Sequence, residues 1–216
     1  MVGGSLEKAP RESGALSKGL LMDNNANVKS VCMNAADIKR ATVRMAHQII
    51  EANEGIENLV VVGIVTRGDV LAKRIVDAIE QIEGVRLPLG KLDISFYRDD
   101  YSTYLAPQIH TTDIPFSIDG KHVVLVDDVF YSGRTVRAAL DALRDIGRPE
   151  SVQLAVLVDR GHRQLPIRAD FVGKNIPSSK EESVRAFLEE VDGFSEVQIQ
   201  DVAEGARPSS APLGGM

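Results

Sequence analysis

Cysteine occurs once, at Cys32. A single thiol excludes an intramolecular disulfide framework and any zinc site built from several cysteines. Long apolar runs are missing as well: no stretch approaches the ~20 apolar residues that a bilayer-crossing helix needs. The opening residues lack the charged-then-apolar layout of a secretory signal, so a soluble, cytoplasmic protein with no membrane partner is the simplest expectation. No internal repeat is visible. Positive charge is not in excess either. The 216 residues carry a formal net charge of −6, which counts against a generally basic nucleic-acid binder.

What is present is an ordinary globular composition, 44% hydrophobic and 26% charged, in a chain long enough to bury a core. Residues 1–33 are rich in Gly, Ser, Asn and Lys without sustained periodicity and read as a flexible extension. Residues 205–216, dominated by Pro, Ser and Gly, read as a disordered tail. Residues 34–204 between them read as one domain. Asn34 and Asp37 offer helix starts, and Ile38, Thr42, Met45 and Ile49 follow at helical spacing. Leu59 to Val65, His122 to Asp128 and Ser151 to Asp159 are continuous apolar runs, the mark of strands covered on both faces. Helical patterns lie between them: one over Val70, Leu71, Ile75, Ile79 and Ile82, ending near Gly84, and one from Thr135 to Ile146 with Val136, Leu140 and Leu143 inward. Leu92, Ile94 and Phe96 alternate as in a further strand. This order predicts an α/β fold, a mostly parallel central sheet with helices on both faces, and ligands beyond the carboxyl ends of its strands.

Three motifs fall at those ends. The run Val123 to Thr135 is an apolar strand ending in Asp127 and Asp128, then Val129, Phe130, Tyr131, Ser132, Gly133 and Arg134, where a helix begins. A helix N-terminus binds phosphate through free N–H groups and its dipole. Gly133 admits a close backbone approach, and Ser132 and Thr135 add hydroxyls. The two acids suit ribose hydroxyls, a sugar cation or a metal-bound sugar; alone, the pair is equally compatible with a helix cap. Thr66-Arg67-Gly68 supplies a cation and loop N–H groups suited to a diphosphate, or simply a surface arginine before a helix. Tyr97-Arg98-Asp99-Asp100 opens a long polar loop reaching Ser117, of the kind that forms lids, or a solvated hairpin.

At these residues the chain resembles the type I phosphoribosyltransferases, whose phosphoribosyl pyrophosphate (PRPP) signature is an apolar strand, two acids and a small-residue loop. Further strings are similar to the bacterial PyrR family of bifunctional pyrimidine-operon regulators and uracil phosphoribosyltransferases: Val43 to His47, Gly63 to Gly68, Leu92 to Asp100, Leu157 to Arg163 and Gly173 to Pro177. The resemblance covers about residues 34–200. It implies a small hood and a flexible lid over the site. It also implies a pyrophosphate loop at Thr66-Arg67, often with a strained peptide before the arginine. Arg98 would meet pyrophosphate, Asp127 and Asp128 would hold the ribose, Val129 to Thr135 would anchor the 5′-phosphate, Arg160 would lie near the pyrophosphate, and the backbone near Val184 would read uracil. Mg²⁺ would arrive on PRPP without direct protein ligation.

A second surface emerges from charge. Arg40, Arg44 and His47 form one stripe at helical spacing, opposite the apolar one. Alone it is an ordinary solvated face. Residues 160–174 hold four cationic side chains against one acid, a net of +3, whereas residues 175–216 hold three against eight, a net of −5. The resemblance places Arg40, Arg44, His47, His162, Arg163, Arg168 and Lys174 on a surface for pyrimidine-operon leader mRNA. Many relatives carry Thr where this chain has Val43, so a hydroxyl contact there is lost. The leading expectation is an enzyme converting uracil and PRPP to UMP and pyrophosphate that binds this mRNA when UMP or UTP fills its site, regulating transcription or translation. A pure salvage enzyme and a non-catalytic nucleotide sensor are the alternatives. A homodimer or larger homo-oligomer is implied by resemblance alone.

Overall fold

A computed structural model describes residues 28–97, 111–179 and 181–201. Among these, the chain runs β1 (Val28–Asn34), α1 (Ala35–Ala52), β2 (Leu59–Ile64), α2 (Arg67–Glu83), β3 (Leu89–Leu92), β4 (His122–Phe130), α3 (Arg134–Ile146), β5 (Ser151–Asp159), β6 (Phe171–Asn175), β7 (Glu182–Phe187), α4 (Glu189–Asp192) and β8 (Glu196–Asp201). The expected α/β architecture is present. Five strands make a parallel sheet in the order β3-β2-β4-β5-β6. Alternate strand residues divide between two cores. Val61, Val124, Val126, Ala155 and Leu157 pack with residues of α1 and α2. Val60, Val62, Val123, Leu125 and Val156 pack with α3. Each central strand must therefore be apolar on both faces, which is why its sequence shows no alternation.

A second, antiparallel sheet has the order β1-β8-β7. Its Val184, Ala186 and Val197 close the α1–α2 core. Residues 28–33, which composition had placed in the N-terminal extension, form most of β1. The remainder of that extension, the C-terminal tail, most of the expected lid and Arg98 lie outside the described residues. Two local expectations are corrected. The strand through Leu92 stops there: the Asp93 carboxylate accepts the Ser95 N–H at 2.8 Å and its hydroxyl at 2.6 Å, turning the chain, and Phe96 is 78% exposed. On α3, Leu140 faces outward, and the buried face is built from Val136, Ala138, Ala139, Ala142 and Leu143.

The helices start in different ways. Asn34 caps α1 and, with Asp37, closes a capping box that uses up the first free N–H groups. Nothing comparable occurs on α2 or α3, whose starts carry no side-chain cap. Instead α2 presses its first turn onto the sheet. A Cβ at Gly63 would stand 2.3 Å from the Asp69 Cα, and one at Gly68 would stand 2.5 Å from the Val126 carbonyl oxygen. No side chain fits in either place. Gly68→Ala is expected to destabilise the protein by about 1–3 kcal/mol through this overpacking, measured as a lower urea midpoint at unchanged slope.

Candidate active site

The carboxyl ends of β2, β3 and β4 open onto one polar pocket of about 370 Å³, lined by Ile64 to Arg67, Asp93 to Ser95, Asp127 to Val129 and Thr135. Six sequence-predicted residues, Thr66, Arg67, Asp127, Asp128, Val129 and Thr135, thus meet in a single cavity. The Val65–Thr66 peptide is cis, one peptide bond ahead of the one that joins Thr66 to Arg67. Asp93 and Ser95 also line the pocket. They were not singled out from sequence, because they lay inside what read as a strand.

Asp127 is buried and Asp128 half-buried. The Asp127 carboxylate accepts the Asp128 N–H at 2.9 Å, and the Asp128 carboxylate accepts the Val129 N–H at 2.7 Å. Burial raises the Asp128 carboxyl above the ordinary carboxylate range, against the opposing pull of the Val129 N–H and the Arg67 charge. Arg67 is held by a two-pronged ion pair, Nε to Asp192 Oδ2 at 3.0 Å and Nη2 to Asp192 Oδ1 at 2.6 Å.

Beyond Asp128 the chain turns through Tyr131, Ser132 and Gly133 into α3. Gly133 has φ +92°, a left-handed conformation that L side chains rarely adopt. The α3 start has no side-chain cap from Gly133 and no acid in its first turn; the Arg134 N–H donates to the Ser132 hydroxyl at 3.4 Å. Phe130 contributes only backbone here, since its side chain is buried in the α3 core.

Arg160 and Val184 do not reach this pocket. Arg160 is buried and its guanidinium is taken by protein partners: Ser178 Oγ at 2.9 Å, the Ser179 carbonyl at 3.3 Å, the Glu182 carbonyl at 2.5 Å and the Tyr131 ring at 4.1 Å. Val184, on β7 of the second sheet, is buried in the α1–α2 core. The expected basic surface separates into two groups. Arg40, Arg44, His47 and Lys174 are exposed where α1 meets the edge strand β6. Arg40 pairs with Asp37, Arg44 donates to the Val172 and Gly173 carbonyls, and Lys174 donates to the Cys32 carbonyl at 2.7 Å.

His162 and Arg163 belong instead to the loop after β5, which is built on the phosphate-type loop. The Arg160 N–H donates to the Phe130 carbonyl and the Gln164 N–H to the Ser132 carbonyl, both at 3.0 Å. The His162 ring meets the edge of Tyr131 at 5.7 Å and its Nε2 bonds the Ser178 carbonyl. Arg163 pairs with Asp159 at 2.6 Å, so part of the charge counted from sequence is neutralised by an acid just outside the counted stretch. Arg168 is exposed before β6.

A parallel sheet with paired acids at a strand end, an uncapped helix start beside them and an arginine loop on the neighbouring strand defines a phosphoribosyltransferase. The model of the phosphoribosyl transferase domain family matches residues 34–190. The chain is 58% identical over 166 residues to the bifunctional protein PyrR of Halalkalibacterium halodurans, covering 76% of this chain and 92% of that one. It is 56% identical over 179 residues to the bifunctional protein PyrR of Thermus thermophilus, covering 82% and 98%. The chain therefore belongs to the PyrR family. Among solved structures, a hypoxanthine phosphoribosyltransferase from Staphylococcus aureus shares the fold at a TM-score of 0.60 and 23% identity, covering 79% of this chain and 92% of that one. Among the described residues, no helix is long and apolar enough to cross a membrane.

The raised Asp128 carboxyl has a consequence for stability. The folded protein holds this proton to higher pH than the unfolded chain, so stability falls as pH rises from about 4, the ordinary carboxylate value, through the raised one. Asp128→Asn cannot ionise and escapes this loss. Its melting temperature relative to wild type should rise by a few degrees between about pH 4 and pH 7; a constant difference would contradict the assignment.

Proposed function

We propose that this pocket joins uracil to the ribose of PRPP, giving UMP and pyrophosphate, and that the same molecule is a nucleotide-dependent regulator that binds pyrimidine-operon leader mRNA. The observation that carries the reading is the convergence of Thr66-Arg67, Asp127-Asp128 and the uncapped start of α3 on one cavity. In the reaction the bond from the anomeric carbon to the pyrophosphate oxygen breaks, and a bond from the uracil ring nitrogen forms there. That nitrogen's proton is released to solvent. Positive charge develops on the ribose, where the Asp127 and Asp128 carboxylates stabilise it and hold the hydroxyls. Negative charge develops on the leaving group, beside Arg67 and Thr66, with Arg98 of the lid. Ser132, Gly133 and Thr135 hold the 5′-phosphate at the start of α3. Much of the rate comes from positioning.

The donor set fits Mg²⁺ carried by the substrate. Carboxylates and hydroxyls are hard oxygen ligands, and Mg²⁺ is commonly held by one or two carboxylates plus substrate phosphates. Among the described residues, no cluster of three or more His, Cys, Asp or Glu forms a protein cage for it. Asp127 and Asp128 would face the ion, which neutralises charge on the departing diphosphate.

For mRNA, Arg40, Arg44, His47 and Lys174 offer phosphate and stacking contacts along the α1–β6 edge, and Arg168 offers one before β6. His162 and Arg163 offer them beside the phosphate loop. A nucleotide phosphate that orders Tyr131 to Thr135 also orders the His162 loop knitted to it, and by linkage RNA then favours nucleotide in return. PRPP and mRNA are both cytoplasmic ligands, which supports action in the cytoplasm; the homo-oligomer rests on the family resemblance alone.

Pyrophosphate release from PRPP and uracil with Mg²⁺ tests the enzyme; no turnover, or turnover with hypoxanthine in place of uracil, contradicts it. Asp128→Asn should lower turnover by about 100-fold or more while leaving RNA affinity within about twofold. In filter binding to a leader-RNA hairpin, Arg163→Ala should weaken binding roughly tenfold, as expected for one lost charged contact, and UMP should strengthen wild-type binding. Unchanged affinity in Arg163→Ala would remove that loop from the RNA surface.

A further inference from the structure

The fork between Arg67 and Asp192 joins two parts of the molecule that the reaction treats separately. Arg67 is the first residue of α2 and lines the pocket; Asp192 ends α4, between β7 and β8, and does not line it. Asp192 is itself fixed, because its Oδ2 also accepts the Leu188 N–H at 2.8 Å. Its side chain is 12% exposed and that of Arg67 28%. Burial opposes ionisation of Asp192, but the hydrogen bonds from Arg67 and Leu188 outweigh it and hold the carboxyl below its ordinary range. Two turns further along α2, Arg74 makes a second fork, Nε to Glu190 at 2.9 Å and Nη2 to Glu190 at 2.5 Å, with Ser195 Oγ at 3.2 Å. Both arginines clasp the same short segment, but only Arg67 belongs to the pocket.

We propose that Asp192 is a positioning residue for diphosphate binding: by occupying Nε and Nη2 of Arg67 it fixes the guanidinium in one rotamer at the pocket wall and leaves Nη1 to the diphosphate. The inference rests on the reading that Arg67 meets the diphosphate. A free arginine has several rotatable bonds and surrenders their entropy when it grips an anion; a guanidinium already locked in a planar fork has less to lose. Two effects of removing the carboxylate oppose each other. Loss of a negative charge favours anion binding, while loss of the fork disfavours it. The carboxylate lies outside the pocket, where its charge is already met by the guanidinium, so the loss of positioning dominates.

The test compares Asp192→Asn, Glu190→Gln and Arg67→Ala in the full chain. Binding of inorganic pyrophosphate with Mg²⁺ is measured by calorimetry, alongside KM for PRPP, KM for uracil, kcat and melting temperature. Asp192→Asn is expected to weaken pyrophosphate and raise KM for PRPP about tenfold, with KM for uracil and melting temperature nearly unchanged. Glu190→Gln, which loosens only the second clasp, is expected to alter neither diphosphate measurement. Tighter or unchanged pyrophosphate binding by Asp192→Asn, while Arg67→Ala binds weakly, overturns the inference. So does an equal effect of Glu190→Gln, or a parallel rise in KM for uracil, since either marks Asp192 as a structural brace. Arg67→Ala that binds pyrophosphate like wild type overturns the reading of Arg67 itself, and the inference with it.

Discussion

Arg67 stands near Asp128 because the backbone of α2 is allowed to touch the backbone of the sheet. With hydrogen atoms at Gly63 and Gly68 in place of side chains, the first turn of the helix settles onto β2 and onto the Val126 carbonyl, one residue before the paired acids. The electrostatics follow from that contact. The Arg67 charge reaches Asp128 and partly offsets the burial that raises its carboxyl. Main-chain packing thus sets the start of α2 beside the paired acids, and the fork to Asp192 settles where the Arg67 guanidinium lies.

The ends of the helices show the same economy. The α1 helix satisfies its own first N–H groups through Asn34 and Asp37 and is free to serve as a scaffold. The α3 helix has no such box: it starts behind a glycine in the left-handed region, and its first N–H makes only a long 3.4 Å contact to the Ser132 hydroxyl. Around that start the loop after β5 is stitched on by two main-chain hydrogen bonds and by the Tyr131 ring, which Arg160 covers and His162 abuts. The proposed phosphate cradle and the His162–Arg163 loop consequently share one mechanical element.

The features legible in the sequence were those whose partners lie nearby along the chain. Buried parallel strands announce themselves as unbroken apolar runs, and the acids with the loop of Val129 to Thr135 form one continuous string. The second sheet was hidden because much of it is exposed: β1 has a single buried residue, and short mixed-polarity segments carry little period. Leu140 was misplaced because helical spacing alone cannot tell which of two apolar stripes packs, and small alanines won the closer fit. Phe96 was misread as strand because the Asp93 turn overrides the alternation. The Arg67–Asp192 fork spans 125 residues, and the bracing of Arg160 depends on the Ser179 and Glu182 carbonyls, 19 and 22 residues away. Pairings of that kind leave no local pattern.

Arg44 illustrates how one side chain can carry two obligations. It lies on α1 but spends its guanidinium on the Val172 and Gly173 carbonyls of β6, the outermost strand of the parallel sheet. An outermost strand with open carbonyls is a template on which another chain can add itself. The Arg44 cation is tied to the main chain of that strand and places a positive charge beside it. A phosphate at the face proposed for RNA must therefore compete with two strand carbonyls for the same guanidinium.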